Sequence, residues 1–276
     1  MIGQDAAMRA AAVGHAVDLG ITLFDTAASY GDGLSEQNLG QAIREVRASA
    51  QVATKVTLEW DDLIDIPAAV RASVEGSLRR LGRERLDILH LHNRLGSARA
   101  RRPSFGSGAV VTVDDVLEAG GVLETLTALR DEGKVGLFGM SAFGGDTACI
   151  RQVICSNAFD VIMLEYNYAN ITAWRSEATV GTRDYNEVGR FAAARGMGVM
   201  ALQILGGGAL LTSAAPRPGV LTPEGERLEL GEGLSLPELG VRFALSNTDI
   251  STAIVGFSSA AQVQDAARFA AAGSLY

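Results

Sequence analysis

Short apolar runs alternate along this chain with longer stretches in which apolar positions return at the helical period. The runs predict strands at Ile21 to Phe24, Val52 to Val56, Leu86 to Leu91, Val135 to Met140, Val161 to Glu165, Val199 to Leu202 and Ala253 to Val255. Between them the longer stretches predict helices near residues 35 to 47, 67 to 81, 115 to 132, 146 to 156, 184 to 195 and 236 to 246, with a last helix from Ala260 to about Ala271. Strict alternation of this kind builds a parallel sheet with helices outside it, and the even spacing predicts a closed α/β barrel of the (β/α)8 type rather than an open sheet. We read residues 1–276 as a single domain.

The predicted strands number seven, and the chain opens with a helix, Asp5 to Leu19, that no strand precedes. The expectation is a barrel lacking its first strand in this chain, with that strand encoded upstream of Met1; a true seven-strand variant is the alternative. An opened barrel would leave unpaired backbone on two neighbouring strands. Two long irregular stretches, Asn93 to Val113 and Ala169 to Arg183, follow strands and are candidate substrate loops.

Composition narrows the function classes. With 24 basic and 32 acidic residues the net charge is -8, which provides no basic surface for a nucleic-acid backbone, so no nucleic-acid partner is expected. Cys149 and Cys155 lie six apart in a helical pattern, a spacing that matches neither a zinc site nor a redox pair, so no metal is expected. The first residues are polar and helical rather than a charged-then-apolar leader, and no apolar run approaches the roughly 20 residues of a spanning helix, so a cytoplasmic protein with no membrane partner is expected.

Four groups suited to proton transfer stand at or near the ends of three successive predicted strands: Asp25 and Tyr30 after the first, Lys55 in the second, His92 after the third. A tyrosine, with an unperturbed pKa of about 10, serves as a general acid towards a carbonyl when a cation stabilises its phenolate. Lys55 would supply that cation, Asp25 would hold the ammonium, and His92 would donate a hydrogen bond to the substrate oxygen. Singly, Asp25 could cap a loop, Tyr30 pack as an aromatic, Lys55 end a solvated strand and His92 sit satisfied in a core; their coincidence at three strand ends favours a catalytic site. His90, two residues before His92, points to the same side one layer deeper and reads as a buried structural histidine.

At these residues the chain resembles the aldo-keto reductases, nicotinamide-dependent TIM-barrel enzymes. Phe24 to Gly31 is similar to the family's F-D-T-A-x-x-Y-G, Ala53 to Val56 to its A-T-K-V, and Leu86 to His92 to the strand that ends in its active-site histidine. Gly133 to Ser141, with Gly136 at the Arg position, and Glu165-Tyr166-Asn167 resemble two further motifs, G-K-V-R-x-x-G-x-S and E-Y-N. The resemblance implies Asp25, Tyr30, Lys55 and His92 as a catalytic tetrad and NADP or NAD as cofactor. It also implies cofactor contacts at Ser141, at Leu205, Gly206 and Gly207 in a glycine loop over the pyrophosphate, and at Gly256, Ser258 and Gln262 near the adenosine end.

Departures from the family pattern lie at the cofactor. Ala142 follows Ser141, Met163 stands where Gln is usual, Leu202 where an aromatic often stacks on the ring, and no Lys or Arg occupies the region that commonly grips a 2′-phosphate. No G-x-G-x-x-G follows a strand and no Tyr-x-x-x-Lys occurs, which removes the main supports for a Rossmann or short-chain dehydrogenase. The expected activity is hydride exchange between a nicotinamide cofactor and a small-molecule carbonyl or sugar substrate: an aldehyde, ketone or aldose. NAD-dependent oxidation of an aldose or other alcohol is the alternative direction, and a cofactor-binding regulatory subunit the alternative class. Specificity is expected from Trp60 and from Asn93, Arg94, Phe105 and Trp174 in the long loops.

Overall fold

Apolar runs become strands and amphipathic stretches become helices nearly in step with the sequence pattern in the computed structural model, which describes residues 5–101, 108–176, 183–212, 220–228 and 233–276. The chain divides into two compact units, Met1–Val161 with Ser258–Ala260, and Ile162–Phe257 with Ala261–Tyr276. The first unit runs α1 (Ala6–Asp18), β1 (Leu23–Asp25), α2 (Leu34–Glu45), β2 (Gln51–Val56), α3 (Ile66–Leu81), β3 (Leu86–Leu91), β4 (Arg94–Leu95), β5 (Val110–Val111), α4 (Val113–Leu117), α5 (Val122–Asp131), β6 (Val135–Ser141) and α6 (Thr147–Cys155). Here β1, β2, β3 and β6 pair in that order, all parallel, as βα alternation requires. The second unit carries β7 (Val161–Glu165), α7 (Val188–Ala193), β8 (Gly198–Leu202), α8 (Leu236–Ser246), β9 (Thr252–Ala253) and most of α9 (Ala260–Ala271), with β8 parallel to β9.

The differences from the sequence pattern have local causes. The first strand begins at Leu23 rather than Ile21, because the Ile21 amide is spent on the Ala16 carbonyl in closing the end of α1. The stretch from 115 to 132 forms two helices, since Glu118 is extended and Gly120 adopts φ 75° before α5 restarts. The stretch from 184 to 195 is helical only over Val188–Ala193, with Asn186 and Glu187 both left-handed before it. The Asn93 to Val113 segment holds the short parallel ladder of β4 and β5, and Phe105 lies outside the described residues.

Both faces of β2 are buried. Residues 52 to 56 are each 1% exposed or less, and successive side chains alternate between the helix side and the opposite face. On the helix side Thr54 donates to Glu36 of α2 at 2.6 Å, and Arg80 of α3 donates to the same wholly buried carboxylate at 2.6 Å. Lys55 therefore points to the opposite face. Because Glu36 is buried, Arg80→Met should destabilise the chain by roughly 3 kcal/mol or more, whereas Arg71→Met at the solvent-screened Arg71–Glu132 pair should cost far less. Urea unfolding of the two variants checks this, and equal losses would contradict it.

Candidate active site

Asp25 is the last residue of β1, Lys55 stands one residue from the end of β2, and His92 follows directly on β3. Parallel register sets Asp25 opposite Ala53 and Lys55 opposite His90. The amides of Thr26 and His92 extend the ladders by one bond each, to the Ala53 and Val56 carbonyls at 2.9 Å. Lys55, 1% exposed, donates to Asp25 Oδ2 at 2.7 Å and to the Thr26 carbonyl at 2.6 Å. An ammonium has three N–H groups, and these bonds use two.

Tyr30 lies in the turn between β1 and α2, its amide on the Ala27 carbonyl and its carbonyl taken by the Ser35 amide. Beneath the turn Thr26 donates to Ser35 through a buried hydroxyl pair at 2.9 Å, which ties the turn to the start of α2. Lys55 Nζ is 4.9 Å from the centre of the Tyr30 ring, and the His92 ring meets that ring edge-on at 6.1 Å between centroids. The phenol is 39% exposed above a buried ion pair, so a ligand can reach it while the charges below stay dry. All four predicted tetrad residues are thus neighbours within the first unit.

Burial dominates the electrostatics. It raises the Asp25 carboxyl above its ordinary value, and the Lys55 ammonium pulls it back. It lowers His92 to about 4, helped by the charge of Lys55, so the ring is neutral at pH 7. His90 is wholly buried and lowered to about 3 by burial, with Lys55 and His92 adding to the shift. Among the described residues neither His90 ring nitrogen has a hydrogen-bond partner, and the ring occupies the room left by the missing Cβ of Gly139, its register partner on β6. Among the same residues no group of three or more His, Cys, Asp or Glu could hold a metal ion, and no helix is long and apolar enough to cross a membrane.

The residues expected at the cofactor fall in both units. In the first, Ser141 ends β6, buried, its hydroxyl accepting from the Phe143 amide at 3.3 Å, and Ser258 is exposed. In the second, Leu205 and Gly206 are half-buried and Gly207 is exposed, while Gly256 and Gln262 are exposed. Gly206, Gly207 and Gly208 all have positive φ, which side-chain-bearing residues rarely adopt. The Gly206 and Gly208 amides are already engaged by the Gln203 and Leu205 carbonyls, so these two N–H groups serve the loop's own turns.

Two expected specificity residues prove structural. Asn93, 1% exposed, pairs through its side chain with both backbone groups of Leu58 and with the Ala109 carbonyl. Trp174, also 1% exposed, donates to Asp249 and packs on Tyr166 at 4.7 Å. Trp60 opens a short 3-10 turn and stays half-buried, with the Arg101 guanidinium 5.2 Å from its ring centre. Sequence reasoning missed two groups. The Thr26 carbonyl, as backbone, leaves no signal, and Thr57, whose hydroxyl lies 3.3 Å from His92 Nδ1, was legible only as the position two after Lys55 on the same face.

Both histidines are neutral in the fold, yet take up protons near 6.5 once unfolded. Between that value and their folded values of about 3 and about 4 the unfolded chain binds more protons, so their contribution is complete above pH 6.5 and is lost as pH falls through that window. Thermal melts taken from about pH 7.5 down to about pH 4.5 should show a falling Tm, with a shallower fall in His90→Leu. The same slope in both proteins would contradict this assignment.

Comparisons with known proteins bear on the fold and the family. The model of the Aldo/keto reductase family matches residues 3–274. An L-galactose dehydrogenase of Arabidopsis thaliana is 27% identical over 267 residues, covering 92% of this chain and 75% of that protein. Among solved structures, an aldo-keto reductase of Bacillus halodurans in its holo form superposes with a TM-score of 0.71 at 24% identity, covering 100% of this chain and 85% of that one. An aldo/keto reductase of Klebsiella pneumoniae in complex with NADP and acetate gives 0.66 at 23% identity, covering 98% and 82%. These likenesses identify the fold as the family's TIM barrel, and among the described residues the strands β1 to β3 and β6 to β9 number seven, against eight in the full barrel. By the match along nearly its whole length, this chain belongs to the aldo/keto reductase family of oxidoreductases.

Proposed function

We propose that the chain is an NAD(P)-dependent oxidoreductase acting between a carbonyl and an alcohol, with Tyr30 as general acid and base. The observation that carries this reading is the buried Lys55 ammonium, held by Asp25 and Thr26 beneath the half-exposed phenol of Tyr30. When bound, the nicotinamide supplies or accepts the hydride at the substrate carbon. Tyr30 holds at its hydroxyl the proton that the substrate oxygen receives, and takes that proton back in the oxidative direction. Lys55 favours the phenolate left behind, Asp25 keeps the ammonium in place, and neutral His92 donates a hydrogen bond to the same oxygen.

Each unit, taken by itself, carries groups of the kind that contact a dinucleotide. In the first unit Ser141 and Ser258 offer hydroxyls. In the second, the exposed backbone of Gly207 would meet a phosphate, and an atom added at Gly256 meets nothing within 4 Å, so a ligand can approach closely there. Leu205, Gly206 and Gln262 complete the proposed contacts. The Klebsiella relative is described with NADP, which supports a phosphorylated cofactor. The absence of Lys or Arg between Gly256 and Gln262 weighs towards NAD.

A second reading, oxidation of an aldose with NAD, is favoured by the similarity to L-galactose dehydrogenase. Turnover of aldehydes, ketones and aldoses with each of NADPH, NADP, NADH and NAD separates the directions, and no turnover in any would favour the regulatory-subunit reading. Tyr30→Phe keeps the ring and removes the proton. Its kcat should fall by about 10² or more, with cofactor affinity unchanged within roughly twofold. Near-normal turnover in that variant would overturn the assignment of Tyr30.

A further inference from the structure

A neutral imidazole carries one N–H, on either Nδ1 or Nε2, and the partner of one nitrogen decides which. If His92 is to donate from Nε2, its Nδ1 must accept. The group that the fold brings to that nitrogen is the Thr57 hydroxyl, 3.3 Å away, which can donate or accept.

Thr57 is held opposite His92 from both flanks. On one side the His92 amide donates to the Val56 carbonyl at 2.9 Å. On the other, Asn93 receives the Leu58 amide at 2.8 Å and donates to the Leu58 carbonyl at 2.7 Å, so the residues after His92 and after Thr57 are clamped together. The Asn93 side chain also donates to the Ala109 carbonyl at 2.9 Å, and this draws Gly108 against the same segment. A Cβ at Gly108 would lie 2.7 Å from the Thr57 methyl, so only glycine leaves room for that methyl, whose seat fixes the direction of the hydroxyl. Three neighbouring contacts thus determine where Thr57 Oγ1 stands.

We infer that Thr57 is a positioning residue which donates its hydroxyl hydrogen to His92 Nδ1, fixing the ring in the Nε2–H tautomer and aiming that N–H at the substrate oxygen. The inference deepens the proposed reaction and rests on His92 as donor to that oxygen, but the tautomer itself is a property of the protein without substrate. Burial keeps the ring neutral, so the choice between tautomers exists at working pH. Thr57 touches no reacting atom; it acts through His92.

Nitrogen-15 spectra of the histidine rings test this directly, in a chain with only three histidines whose signals His92→Gln and His90→Leu assign. The wild-type protein should show His92 protonated on Nε2 and unprotonated on Nδ1. Thr57→Val, which keeps the shape and loses the hydroxyl, should shift His92 towards a mixture of tautomers. Its kcat should fall about three- to tenfold, the size of one neutral hydrogen bond, with KM for the cofactor unchanged. Thr57→Ser, which restores the hydroxyl, should return both the tautomer and the turnover. A wild-type His92 protonated on Nδ1 would overturn the inference whether or not any variant folds, and so would a Thr57→Val spectrum identical to wild type. The expected tautomers with no turnover of any carbonyl or alcohol would leave the inference standing and overturn the proposed reaction instead.

Discussion

The structure of this site depends on burying one ammonium group. Lys55 is 1% exposed, and an ammonium taken out of water costs several kcal/mol unless well-placed acceptors surround it. Asp25 Oδ2 and the Thr26 carbonyl meet that demand, and both come from the end of β1. They reach Lys55 only in the register that sets Asp25 opposite Ala53, so a slip of one residue would send every side chain of the strand to its other face. On that other face the Thr54–Glu36–Arg80 cluster ties β2 to α2 and α3, which holds the register from behind. The hydroxyl pair of Thr26 and Ser35 then fixes the turn that carries Tyr30 above the charge. A phenol beside a dry, anchored cation follows from the way the cation is solvated by the protein.

Much of this was legible in the sequence, because polar residues at the ends of apolar runs stand out. Asp25, Lys55 and His92 each break a run at the point where its strand gives out, and Tyr30 follows in a glycine-bounded turn. Less was legible where a side chain's role is set by distant backbone. Asn93 reads as a loop residue in sequence, yet its amide is consumed by Leu58 and Ala109, and no local pattern announces such a clamp. Trp174 reads as a pocket aromatic for the same reason, while its indole is fixed by Asp249, 75 residues further along. The glycine loop at 206 to 208 reads as unusual backbone and is so, but which of its amides remain for a ligand is decided by its own turns.

His90 and His92 show how one residue type divides its roles by depth. They share a face of the chain one layer apart and are both held neutral by burial beside Lys55. Among the described residues the deeper ring has no hydrogen-bond partner and is accommodated by Gly139, whereas the outer one lies edge-on to Tyr30 and within reach of Thr57. The outer histidine thus has a polar neighbour that can choose its tautomer, and it is the one proposed to meet the substrate.

The central claim is that Asp25 serves catalysis only by holding Lys55, and a double-mutant cycle in kcat tests it most directly. Asp25→Asn, Lys55→Met and the double variant would be compared at equal folded fraction, since each removes part of one buried pair. The account predicts strong non-additivity: the double variant turns over as Lys55→Met does, within about twofold, because Asp25 has nothing left to hold. A double variant slower by the product of the two single effects would contradict it, and would assign Asp25 a role of its own.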